Sequence, residues 1–195
     1  MSEMKSAYEK AMEKVEKLGK PTEEELKKLE YIPIGNAIAA RYLQEEDFNL
    51  DAELTKHKGE GSRQYIVKGV QEIFLRNITL PHSEHDKNLT LRAMAGIKLI
   101  KENKNKLDAI YDRINNLLTY YEQAYQQTFQ QFKKNFEMKL QESGAALQQR
   151  MNAGHNVESE IQQQFQEEWR RAGSELDAQY EKTLEEHKQE ILKIS

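Results

Sequence analysis

The sequence predicts an all-α protein with a small N-terminal helical body and a long antiparallel helical hairpin. Three observations predict this fold. Apolar residues recur at helical spacing in nearly every segment. Only three prolines and nine glycines interrupt the 195 residues. The second half carries an apolar repeat of eleven residues, which is typical of long, nearly straight helices.

The N-terminal quarter of the chain contains three predicted helices. Residues 6–18 place their apolar side chains at helical spacing. Thr22 and Glu25 then form a capping-box pattern that starts a second helix, which we expect to reach about residue 30. Pro33 is predicted to break that helix within "YIPIG", because proline disfavours a helical conformation in the residue before it. The third helix is "NAIAARYLQEE".

The middle of the chain is predicted to hold a connector and two further helices. "DFNLDAELTKHKGEGS" indicates a loop with a short helical turn. Ser62 can cap the helix "RQYIVKGVQEIFLRNITL", which stops before Pro81. Ser83 can cap the next helix, for which we predict about 70 residues and a length of about 100 Å. We expect a kink or break in this helix near "KENKNK", residues 101–106.

The eleven-residue repeat lies on both sides of "NAGHN" and advances in steps of four, four and three residues. Such a stripe indicates packing between helices. A cofactor site is the alternative, but no polar groups converge on the rings in the pattern. We therefore predict that the stripe is an interface made by Tyr121, Tyr125, Phe129, Phe132, Phe136, Leu140, Phe165, Trp169, Leu176 and Tyr180.

A turn near residues 152–156 would fold the second half of the repeat back along the first. In the register that follows, Phe136 faces Gly173 and Phe165 faces Gly144, so that large rings meet small residues. The predicted domains are a body of residues 1–113, which includes the start of the long helix, and a hairpin of residues 114–195.

Two short motifs could bind a small ligand. "HSEHD" places His82 and His85 three residues apart on one helical face, where they could share a metal ion. A polar helix start is the preferred interpretation of this motif. "HKGEGSR" could cradle an anion before the helix that follows Ser62, although a flexible connector is preferred. We identify no catalytic residues and no cofactor site.

Composition excludes several classes of function. The absence of cysteine removes disulfides, thiolate nucleophiles and cysteine metal sites. The formal net charge of −4 argues against broad nucleic-acid binding. The start of the chain is neither a signal peptide nor a membrane span, and no later segment is apolar enough to span a bilayer. We therefore expect a cytoplasmic protein without a membrane partner.

Three segments resemble a known protein family. They are "MKSAYEKAMEKVEKL", "YIPIGNAIAARYL" and "FLRNITLP". Together they look like the N-terminal half of a bacterial all-helical family of unknown function. The resemblance implies an all-helical bacterial protein and provides no active-site residues.

These observations favour a non-enzymatic scaffold or adaptor that presents a coiled-coil hairpin. Its partners would be proteins, and we expect self-association, because two helices rarely cover so much aromatic surface. A module that binds an anion or a metal ion in the N-terminal body is the alternative. An enzyme is the third hypothesis and has the least support from the sequence.

Overall fold

The computed structural model describes residues 21–57, 59, 61–145, 152 and 156–194. In these residues the chain forms six α-helices and no strand, which confirms the predicted all-α class. The helices are α1 (Glu23–Gln44), α2 (Leu50–Lys56), α3 (Arg63–Arg76), α4 (Glu84–Ile100), α5 (Lys104–Glu142) and α6 (Val157–Leu192). The helix predicted for residues 6–18 lies outside the described residues.

The chain divides into two compact units, Met1–Arg76 and Asn77–Ser195. The division therefore falls between Arg76 and Asn77 rather than near residue 113. The boundary differs from the expected one because of α4, which we expected to belong to the N-terminal body. In the structure α4 packs along α5 and belongs to the second unit.

Helix α1 begins at the predicted capping box. The Thr22 hydroxyl accepts a hydrogen bond from the Glu25 amide at 3.2 Å, and the Glu25 carboxylate accepts one from the Thr22 amide at 2.7 Å. The predicted break at Pro33 is wrong, because α1 continues through it to Gln44. An internal proline costs a helix about 3 kcal/mol. We attribute its tolerance to the packing of α1 against α3 on both sides of the proline.

Helices α1 and α3 approach each other at two glycines. A Cβ atom on Gly35 would lie 2.0 Å from the carbonyl oxygen of Ile66, and one on Gly69 would lie 2.3 Å from that of Ile32. The two backbones are therefore in contact, with no space for a side chain between them. Farther along the same pair, the rings of Tyr42 and Phe74 meet with centroids 5.3 Å apart.

Helices α4 and α5 run in opposite directions, so the chain reverses in the segment where a kink or break was expected. Lys101 ends α4 with an extended backbone, and the Asn103 side chain caps α5 by accepting from the Lys106 amide at 3.2 Å. The Tyr111 hydroxyl donates to the carbonyl oxygen of Met94 at 2.6 Å. The single helix of about 70 residues is thus two antiparallel helices.

Helices α5 and α6 also run in opposite directions, but in a different register from the predicted one. The ring of Phe136 lies 5.1 Å from that of Phe165, which is eight residues before the predicted partner Gly173. Among the described residues, no non-neighbouring atom lies within 4 Å of a Cβ built on Gly144. Because α5 ends at Glu142 and α6 begins at Val157, the connection is centred earlier in the chain than predicted. When the turn between two antiparallel helices moves along the chain, the pairing register shifts by twice the number of residues that the turn has moved.

The crossing of α1 and α3 predicts that Gly69→Ala lowers the free energy of unfolding of the first unit by about 3 kcal/mol, because its Cβ would overlap a backbone oxygen. Urea denaturation with hydrogen exchange of the α1 and α3 amides measures this loss. Gly144→Ala is the control, since its Cβ meets no atom within 4 Å in the part of the chain that the structure describes. A neutral Gly69→Ala would contradict the backbone contact.

The observed register predicts that alanine at Gly173 changes stability in the opposite direction from alanine at Gly69. A Cβ at this position meets only ring atoms of Trp169, at an ordinary contact distance of 3.9 Å. Gly173→Ala should therefore stabilise the second unit by up to about 1 kcal/mol through helix propensity. Thermal unfolding measures the change. A clear loss of stability would instead favour the predicted register, in which Phe136 packs on this glycine.

Candidate functional site

A series of aromatic rings joins α5 to α6. Tyr121 lies 5.3 Å from Tyr180 between ring centroids, and Phe129 lies 4.9 Å from Trp169. Most of these pairs meet edge to face, a geometry that adds about 0.5–1.5 kcal/mol per pair beyond the area they bury. The predicted stripe residues that carry rings therefore lie along one line of contact. The other two stripe residues, Leu140 and Leu176, are half-buried.

The burial of these rings varies along the pair of helices. Near the start of α4, Tyr121 is fully buried, whereas Tyr125 and Tyr180 are half-buried. We call residues 126–142 and 157–173, which lie beyond the start of α4, the two-helix arm. In the arm Phe136 is buried, whereas the other rings are half-buried: Phe129, Phe132, Phe165 and Trp169. The arm therefore leaves aromatic surface in contact with solvent.

A cluster of three polar side chains lies beside the N-terminal end of α4. The Tyr121 hydroxyl donates to a carboxylate oxygen of Asp177 at 2.7 Å. The Nδ1 atom of His82 lies 3.1 Å from the same hydroxyl oxygen. Since the phenolic proton points to Asp177, the network places the imidazole proton on Nδ1, which donates to Tyr121. The cluster ties the segment before α4 to both long helices.

The His82 ring also covers the start of the aromatic series. Its centroid lies 5.8 Å from that of Tyr121 and 5.9 Å from that of Tyr125, with the rings edge to face in both cases. Its Nε2 atom is 3.8 Å from the second carboxylate oxygen of Asp177. Sequence reasoning missed Asp177. The sequence pattern that could have revealed it is the position of Asp177, an acidic residue on the apolar face of α6 four residues after Gly173.

Two buried phenols have raised pKa values. Burial, followed by the hydrogen bond to Asp177, raises the pKa of Tyr121 far above its ordinary value of 10.0. Burial also raises the pKa of Tyr111, with a smaller contribution from Asp108. Neither hydroxyl is suited to act as a base, because each donates its proton within the fold.

The two motifs considered as ligand sites have different surroundings. His82 packs against Tyr121 and Tyr125 with 47% of its side chain still exposed, and His85 is exposed as well. Within the described ranges, no group of three His, Cys, Asp or Glu side chains is placed to hold a metal ion. In "HKGEGSR", the Ser62 hydroxyl donates to the Gly59 carbonyl at 3.1 Å. Gly61 has a φ of 91°, which favours glycine.

A surface depression of about 400 Å³ marks the boundary between the covered and uncovered parts of the helix pair. Lys87 crosses it from α4 and binds Glu122 of α5 at 2.9 Å. Tyr125 and Gln126 line the side that leads into the arm. The depression therefore lies between α5 and the start of α4.

A model of a family of unknown function, DUF6657, matches residues 51–193. The chain belongs to this family. The match to DUF6657 extends from α2 through α6, beyond the first hundred residues in which we expected the resemblance. It includes "FLRNITLP" but neither of the two earlier segments. No curated protein and no solved structure matches the chain. Among the residues described, none of the helices is long and apolar enough to cross a membrane.

The raised phenol pKa values predict a loss of stability in alkali. Because the folded-state pKa of Tyr121 exceeds 10.0, its contribution is complete below pH 10.0 and is lost as the pH rises above that value. Tyr121→Phe should therefore lower stability at neutral pH by about 1–3 kcal/mol and flatten its further decrease in alkali. Urea unfolding at a series of pH values measures both effects.

Tyr120→Phe is the matched control for this prediction, since Tyr120 is an exposed neighbour on the same helix. It should leave both the stability and its pH dependence unchanged. Equal pH profiles for the two variants would contradict the role of the buried hydroxyl.

Proposed function

We propose that this protein is a non-enzymatic scaffold or adaptor that presents an antiparallel coiled coil to a protein partner. The observation that carries the proposal is the partial exposure of the aromatic series on α5 and α6. Tyr121 and Phe136 are buried, whereas the other six rings of the series are half-buried: Tyr125, Phe129, Phe132, Phe165, Trp169 and Tyr180. Aromatic side chains that stay partly solvated at regular intervals are typical of an interface.

The spacing of the rings supports a coiled coil with an eleven-residue repeat. Tyr121, Tyr125, Phe129, Phe132 and Phe136 advance by four, four, three and four residues, and each meets a ring of α6. A repeat of eleven residues in three turns keeps the stripe on one side of a nearly straight helix. The arm can therefore present a continuous surface on each side of the contact line.

The polar groups of the second unit support a structural role over a catalytic one. Tyr121 is fully buried, and its hydroxyl proton is held by Asp177. His82 lies against the same hydroxyl and packs on two rings. These contacts join three segments of the chain. A structural role is therefore enough to explain why the three polar residues lie together.

A photo-crosslinking amino acid placed in the arm tests the proposal in the full chain. Substitution of Gln130 or Gln163, both exposed in the arm, should yield discrete protein adducts in cells. Untagged full-length chain should compete for them. Gln189, exposed on α6 outside the arm, is the control position and should yield none. An absence of competed adducts from both arm positions, or equal adducts from Gln189, would contradict an interaction role for the arm.

A further inference from the structure

The middle of α5 has a surface almost without charge. Between Ile114 and Phe132, Glu122 is the only charged residue, whereas the chain average of 32% would place about six charges there. Glu122 itself binds Lys87 of α4 at 2.9 Å. The nine exposed side chains of this stretch are all uncharged, and five of them are glutamines. Depletion of charged residues is the compositional mark of the centre of a protein interface.

Four exposed side chains form a line along this surface, and we call them the outer line of α5: Tyr120, Gln127, Gln131 and Met138. Tyr120 is eleven residues from Gln131, and Gln127 is eleven from Met138. Eleven residues make three turns, so each pair lies on one side of the helix. Phe129, which packs on α6, is two and a half turns from Tyr120 and therefore lies on the opposite side.

The two ends of the outer line are apolar and in contact with solvent. Tyr120 is 64% exposed and Met138 is 46% exposed, more than the other large hydrophobic side chains of α5. They are separated by five full turns, or about 27 Å. Aromatic residues and methionine are enriched in interfaces. The outer line thus has an apolar residue at each end and neutral amides between them.

The spacing of the outer line is the same when it is read from either end, because its steps are seven, four and seven residues. A second α5 that lies antiparallel therefore places Met138 opposite Tyr120 and Gln131 opposite Gln127. A thioether sulfur makes favourable contacts with an aromatic ring. Each glutamine amide both donates and accepts, so two glutamines can pair. The outer line is complementary to itself about a two-fold axis near Phe129.

The neighbouring residues fit the same antiparallel pairing. Gln123 would lie opposite Asn135, which again brings two amides together. Lys134, one turn before Met138, would lie opposite the small side chain of Ala124. The pairing therefore brings no two like charges together along α5.

We propose that the outer line of α5 is a homodimer contact, in which two copies of the chain pair antiparallel through this helix. A second copy is the occupant because it supplies the same seven, four, seven spacing and the same uncharged surface. A charged partner helix would lose hydration here without gaining an ion pair. The inference goes beyond the proposed function, since the outer line lies opposite the aromatic series. Two helices in contact over five turns bury less than the ~1,600 Å² of a standard interface, so the dimer should be reversible.

Paired charges at the centre of the outer line test the contact in the full chain. Gln127→Glu with Gln131→Glu sets acid against acid, and sedimentation at a series of concentrations should show dimerisation weakened about tenfold or more. Gln127→Lys with Gln131→Lys should weaken it in the same way. An equal mixture of the two variants should restore the dimer, which also shows that both are folded.

The matched control for added charge is Gln162→Glu with Gln166→Glu. These two positions are exposed on α6 and have the same spacing of four residues. This variant should dimerise as the unmodified chain does.

Single cysteines test the orientation, since the chain contains no other cysteine. Under mild oxidation, a chain with Gln123→Cys should form a disulfide with a chain that carries Asn135→Cys, because the two positions face each other. Neither variant should cross-link to itself. Each of these positions lies about 18 Å along the helix from its own symmetry mate, beyond the reach of a disulfide.

The remaining outcomes overturn the inference. These are a chain that stays monomeric, a dimer that the glutamate pair on α5 leaves intact, and a dimer that the control on α6 weakens equally. A dimer without the disulfide between Gln123→Cys and Asn135→Cys also excludes this pairing. If the chain is monomeric while adducts with another protein form at Gln130 or Gln163, the proposed function stands and this contact is wrong. If the dimer behaves as expected but those adducts are absent, the contact stands and the adaptor role is wrong.

Discussion

The edge-to-face contact between rings of α5 and α6 is the interaction on which the second unit depends. Large rings can interdigitate in few ways, so the pairs Tyr121–Tyr180 and Phe136–Phe165 determine the register of two long helices. Exposed ion pairs such as Arg113 with Glu190 accompany the rings but contribute little in water. The register in turn decides which side chains of the two helices meet.

The fully buried ring of Tyr121 lies where α4 begins beside α5. On one side α4 packs along α5, and Lys101 beyond its end donates to the carbonyl oxygen of Ile194 near the end of α6. A cation at this position complements the negative end of the α6 dipole. Lys101 is buried, and this burial lowers the pKa of its ammonium group. On the other side, four of the five rings of the two-helix arm are half-buried.

The first unit is held together by a different kind of contact. At Gly35 and Gly69 the backbones of α1 and α3 touch, so stability there depends on the absence of side chains. Around the crossing, Ile66, Val70 and Phe74 are fully buried and supply the apolar surface. This close approach also accounts for the continuity of α1 through Pro33, because α1 packs against α3 on both sides of the proline, at Ile32 and at Gly35. A local preference for a break is overcome by tertiary contact.

The sequence alone determined that the chain is helical, where the capping box of α1 lies and which rings form one stripe, because these features depend on short-range spacing and backbone chemistry. The reversal at Lys101, the register of α5 against α6 and the meeting of His82, Tyr121 and Asp177 were decided by the tertiary structure. The stripe has a residue on the contact line at every step of three or four residues. A shift of eight residues therefore still brings the two stripes together, and periodicity cannot choose between such registers. The positions of the turns make that choice, and they depend on which surfaces pack together in the folded chain.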